Sequence, residues 1–166
     1  AFELGKRMAY LRPERFVTFA LGSLPKLENA LIAAVVASGS TVRGHDGQPV
    51  AAAGDEQKSL AKQLAASVPR AMLEQVNDLS EKLEGRVGNG LVTSWRSATD
   101  HTGNRVGLIL ANDVEAAARV IATETSAFSS LPVKERLREL LAFAASEPYF
   151  AVRRHLGMSI AGEAQA

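Results

Sequence analysis

The amino-acid sequence predicts an all-α fold, a compact multi-helix domain of about eight or nine helices. Three observations predict it. Apolar residues recur at spacings of three and four through most of the chain. Five of the six prolines, Pro13, Pro25, Pro69, Pro132 and Pro148, stand where a helix would begin, the position at which a missing N–H costs nothing. Glycines and short polar clusters separate the periodic segments.

Taken in order, Phe2, Leu4, Met8 and Leu11 fall at helical spacing, and Pro13-Glu14-Arg15 opens a second short helix to about residue 20. Ser23 with Pro25 and Glu28 starts a helix apolar on a wide face through Leu24, Leu27, Leu31, Ile32, Val35 and Val36, and Ser38-Gly39-Ser40 stops it. Residues 41–54 carry turn chemistry without periodicity and read as a loop. Asp55 caps a helix through about Ala66, and Pro69 opens another in which Met72, Leu73, Val76, Leu79 and Leu83 recur, the two forming a helical hairpin. After Gly85, Gly88 and Gly90, residues 91–110 predict a long buried helix through Leu91, Val92, Trp95, Ala98, Val106 and Ile109. Strands at 91–95 or 106–110, as a small β-hairpin, are the alternative, because both runs are rich in β-branched residues. Asn112-Asp113 caps a helix over 114–123, Pro132 opens one to about Ala145, and Pro148 opens the last, ending near Gly157. The expected organisation is one helical domain over 1–160 and a frayed tail over 161–166. Because the first helix lacks a cap and the first residue is Ala1, the chain is expected to be the C-terminal fragment of a longer one.

Nineteen Lys and Arg against eighteen Asp and Glu give a net charge of +1, with no basic stripe interleaved with aromatics, so nucleic acid is not an expected partner. Without cysteine there is no disulfide, thiol nucleophile or thiolate metal site. The longest apolar run, residues 30–37, is far short of the roughly 20 residues of a membrane span. A cytoplasmic location is expected.

Chemistry-bearing residues are sparse. No pair among His45, His101 and His155 has the spacing by which two ligands share a helix face, so no metal and no cofactor are expected. Residues 85–90 lack the lysine of a phosphate cradle, and the serines near Gly22 and Gly39 lack a nucleophile elbow. Glu135, Arg136, Arg138 and Glu139 read as a solvated mixed-charge face. His155, beside Arg153 and Arg154, complements a helix C-terminus. The long helix is different. Asp100 and Asn104 lie one turn apart within an apolar pattern, with His101 and Arg105 beside them, and a buried carboxylate must be paired, here with an arginine.

At these residues the chain resembles the zinc metallopeptidase family that contains the CaaX prenyl endopeptidases and the bacterial heat-shock membrane peptidases. That family carries H-E-x-x-H on one helix and a phrase like E-x-x-A-D-R-A-G on a later one. Residues 98–108, ATDHTGNRVGL, resemble the second phrase, with Asp100 at the glutamate ligand and Asn104 at the aspartate. Residues 6–12, KRMAYLR, resemble a decayed first motif, with Lys6 and Tyr10 at the histidines and Arg7 at the general base. The resemblance implies a zincin-like helical core without metal, a vestigial site of Lys6, Arg7, Tyr10, Asp100 and Asn104, and a place at the end of longer tetratricopeptide-type proteins. It implies no enzyme, but a pseudo-peptidase-like module for protein interaction or structural support, with a protein or neighbouring domains as partners. Two alternatives stand beside it. One is a residual zinc peptidase in which His101, Asp100 and upstream groups supply the site; the other is a structural helical domain of no peptidase ancestry. If the ancestry holds, the first helix lies against Asp100, and Lys6 or Arg7 pairs with that carboxylate across the old site.

Overall fold

A computed structural model describes residues 1–41, 54–82, 90–124 and 131–158. Among the described residues the fold is all-α, with nine helices and no strand: α1 (Phe2–Tyr10), α2 (Pro13–Leu21), α3 (Leu24–Ala37), α4 (Asp55–Ser67), α5 (Arg70–Lys82), α6 (Leu91–Ala111), α7 (Val114–Thr123), α8 (Val133–Ala144) and α9 (Glu147–His155). Both runs considered as strands lie within α6. His45, Gly85, Gly88, Leu83 and the tail from 161 fall outside the described residues.

The helix ends follow local chemistry. The Asp113 carboxylate accepts from the Ala116 N–H at 2.9 Å and caps α7. The N-cap of α4 is Gly54 rather than Asp55, and the Gln57 side chain reaches back to accept from the Gly54 N–H at 2.8 Å. Pro25 and Pro148 sit in the first turns of α3 and α9, and Pro132 is the N-cap of α8.

The chain divides into two compact units. The unit of residues 20–96 packs α4 and α5 on α3, around Leu27, Ala33, Val35 and Ala61. Both helices pack on α3 rather than as the expected hairpin with each other. None of the α5 residues is fully buried, and Met72 and Leu79 are exposed, so the apolar periodicity of that helix overstated its burial.

The unit of residues 1–19 and 97–166 contains the residues of interest. Its core is Phe2, Leu108, Ala117, Ile121, Leu140 and Tyr149, from α1, α6, α7, α8 and α9. The Tyr149 hydroxyl donates to Asn112 Oδ1 at 2.9 Å, and Arg153 Nη1 donates to the Ile109 carbonyl at 2.9 Å, which gives one orphan carbonyl at the end of α6 a partner.

Helix α1 meets α6 through glycine. A Cβ on Gly107 would lie 2.7 Å from the Phe2 carbonyl oxygen, and one on Gly5 would lie 2.9 Å from the Val106 carbonyl oxygen. Glycine at both places therefore lets two backbones approach where any side chain would clash. This contact decides which side of α1 faces inward. Phe2, Gly5, Lys6, Ala9 and Tyr10 are buried, while Leu4, Met8 and Leu11, grouped with Phe2 by spacing, remain on the outside. On α6 the buried side is Thr99, Asp100, Gly103, Asn104, Gly107 and Leu108, a mostly small and polar set, whereas Ala98 is exposed and Val106 and Ile109 are half-buried.

Candidate functional site

Lys6 lies on the inner side of α1 between Phe2 and Tyr10, and it is wholly buried. A charge placed there must find a partner or stay neutral. Its partner is Glu124, the C-cap of α7: the ammonium donates to Oε1 at 2.8 Å and to Oε2 at 2.6 Å. Arg136 of α8 donates from Nη1 to the same Oε2 at 2.5 Å and from Nη2 to the Ile121 carbonyl at 3.3 Å. Glu124, nearly buried itself, thus holds two buried cations and ties α1, α7 and α8 together. Arg7 reaches the rim of the cluster, 4.0 Å from Glu124, and forms an i,i+4 pair with Glu3.

Desolvation dominates the electrostatics. Burial pushes the Lys6 ammonium below its ordinary value of 10.5, against the raising effects of the Glu124 hydrogen bond and charge and of the Asp100 carboxylate; Arg136 lowers it further. The ion pair is therefore a connector whose attraction only partly offsets the cost of taking Lys6 out of water.

The second part of the cluster lies on α6. The Tyr10 hydroxyl donates to Asp100 Oδ1 at 3.3 Å, and both residues are buried. A Cβ on Gly103 would meet the Tyr10 ring at 3.2 Å and Lys6 Cγ at 3.3 Å, so α1 lies directly on this part of α6. Lys6, Tyr10, Asp100 and Glu124 are thereby gathered in one buried polar region. Lys6 pairs with Glu124 rather than with Asp100, which corrects the Lys6 form of the expected cross-site ion pair; Asp100 accepts from Tyr10. Asn104 is wholly buried, and neither its amide nitrogen nor its oxygen has a protein partner.

His101 and Arg105 point to a different place. His101 Nδ1 lies 3.4 Å from Glu139 Oε2, too poorly aligned for a hydrogen bond, and Arg105 forms an ion pair with Glu139 while lying over the Phe143 ring at 5.0 Å. His101 and Glu139 line an open cleft of about 560 Å³ with Pro132, Lys134, Glu135 and Arg138. His155 is exposed in the last turn of α9.

Sequence reasoning missed Glu124 and Arg136. Arg136 reads by sequence as part of a solvated face, yet it is 2 % exposed and points into the cluster. With Phe2, Lys6, Ala9 and Tyr10 on the inner face, the lysine demands a carboxylate from elsewhere. No spacing rule says which carboxylate answers. Among the described residues no group of three or more His, Asp or Glu is placed to hold a metal ion, and no helix is long and apolar enough to cross a membrane. No protein-family model matches the chain, and no curated protein or solved structure matches it either.

Proposed function

We infer that the chain is a non-enzymatic, pseudo-peptidase-like helical module that serves protein interaction or the structural support of neighbouring domains. The observation that carries this reading is Lys6. It stands where the resemblance places a metal-binding histidine, and its ammonium is buried on Glu124 beside Arg136. A divalent cation in that region would have to displace one buried cation and sit near another, and the residue at the general-base position, Arg7, is itself a cation. The proximity of Tyr10 to Asp100 supports the shared ancestry, because it joins the two stretches that carry the resemblance.

An interaction role is supported by the outer side of the first two helices. Leu4, Met8, Leu11, Phe16 and Phe19 are all between 45 % and 71 % exposed, an unusual density of large apolar side chains within nineteen residues. The balanced charge favours protein over nucleic acid as the partner, and a cytoplasmic setting goes with this reading.

The test is elemental analysis for zinc on the natural full-length protein purified without chelator. No zinc is expected. Near-stoichiometric zinc in the wild type would sink the reading and favour a residual peptidase. A variant carrying Lys6→His, Arg7→Glu, Tyr10→His, Asp100→Glu and Asn104→Asp tests the ancestry separately: stoichiometric zinc uptake is expected, and a folded variant that takes up none contradicts it.

A further inference from the structure

We propose that Asn104 is the anchor of an internal water site, a single molecule bound between the Asn104 amide and the Asp100 carboxylate in the core of the unit that contains α1. The argument begins with an imbalance. Asn104 is 0 % exposed, and both Nδ2 and Oδ1 lack any protein partner, so exchanging the two atoms by rotating the amide leaves the imbalance unchanged. Buried amides are ordinarily satisfied, and one stripped of both partners opposes folding unless a small polar molecule supplies them.

The surroundings select the molecule. Asp100 lies one helical turn before Asn104 and therefore on the same side of α6, which places an amide donor, an amide acceptor and a carboxylate acceptor within one polar stripe. Water can accept from Nδ2–H and donate to Oδ1 and to Asp100, reaching the two to four partners an internal water needs. A cation would be repelled by Lys6, whose charge is felt at Asp100, and an anion would be repelled by Asp100; a neutral molecule meets neither penalty.

Water also explains how α6 keeps polar residues on its buried side. Tyr10 satisfies one part of Asp100, and the bound molecule carries the Asn104 amide, so the α6 stripe is satisfied partly by protein and partly by solvent sealed inside.

The experiment is heteronuclear NMR on the full chain, uniformly labelled with nitrogen-15 and carbon-13. Cross-peaks between the Asn104 Nδ2 protons and the water resonance are expected, of opposite sign in the laboratory and rotating frames, which marks a molecule held far longer than surface hydration water. Absence of those cross-peaks overturns the proposal, as does scalar coupling across a hydrogen bond from Nδ2 to a protein carbonyl. Exhaustive dialysis into buffer without organic components should leave the cross-peaks unchanged; their loss would identify a co-purified solute and overturn water as the ligand. In Asn104→Leu, if it folds, the internal-water cross-peaks of neighbouring protons should vanish, and their survival would remove Asn104 as the anchor.

Discussion

Glu124 and Lys6 are two halves of one ion pair, yet removing them has very different expected costs. Glu124→Gln keeps the shape and deletes the charge. It leaves the Lys6 ammonium, which is wholly buried and bonded at 2.6 and 2.8 Å, and the Arg136 guanidinium, bonded at 2.5 Å, around a neutral amide. Breaking a buried pair so that charge is left uncompensated costs about 3–5 kcal/mol, and here two cations are stranded at once. Lys6→Met removes a group whose burial is only partly repaid, as its lowered pKa indicates, fills the same space with methionine, and leaves Glu124 paired with Arg136. Its cost should stay below about 2 kcal/mol. Urea denaturation followed by the far-ultraviolet helix signal measures both, with the denaturant slope checked for constancy. The double variant should be less destabilised than the sum of the singles, since the methionine removes one of the stranded cations. Lys6→Met proving as costly as Glu124→Gln, or costlier, would refute the assignment of Glu124 as the shared anion.

Other outcomes follow from the same geometry. The folded-state pKa of Lys6 is lowered below 10.5, so between the two values the unfolded chain binds more protons than the folded one. The Lys6 contribution to stability should therefore rise with pH through that window, be complete above 10.5, and be lost as pH falls through the folded value. The unfolding free energy of wild type minus that of Lys6→Met reports it, and a value that falls as pH rises contradicts the sign. Gly107→Ala would set a methyl 2.7 Å from the Phe2 carbonyl oxygen and about as close to its ring; the overpacking, about 1–3 kcal/mol, should outweigh the helix-propensity gain of about 1 kcal/mol and lower the melting temperature. An unchanged or raised melting temperature would show that α1 does not press on α6 there. Ile121→Ala, at a fully buried position between Phe2, Leu108 and Leu140, should cost about 2–5 kcal/mol in the same denaturation assay. Tyr149→Phe should cost about 1 kcal/mol by removing the hydrogen bond to Asn112, and no measurable loss would place that contact at the solvated surface.

Helix order was legible because punctuation residues carry it locally. Proline at a first turn, Asp113 at a cap and glycine after a periodic run act through their own backbone, so they can be read without knowing the neighbours. Burial was less legible, and α6 shows why. Its inner side is decided by Gly5 and Gly107, which allow α1 to approach and thereby cover Asp100 and Gly103, while Ala98 stays outside. An apolar count assigns the inside to the large residues; here closeness of approach assigns it to the small ones. Met72 and Leu79 err in the other direction, since α5 has the periodicity of a covered helix and buries no residue fully. At the candidate site, the meeting of the first helix with Asp100 follows from the two motif-like stretches only if the ancestry holds. The partner of Lys6 does not follow from them at all, because Glu124 lies 118 residues away at a helix end and belongs to no pattern.

The seclusion of Lys6 also makes it a chemical reporter. Lys26, Lys58, Lys62, Lys82 and Lys134 are exposed, so an amine-acylating reagent can modify them on the folded protein, while the Lys6 nitrogen is committed to Glu124 and shut away from solvent. Acylation at that one position, read by peptide mass spectrometry, therefore records how often the first helix lifts off the rest of its unit. A partner that grips the outer side of α1 should slow that modification, and one that pries the helix away should hasten it, so a single lysine distinguishes clamping from opening.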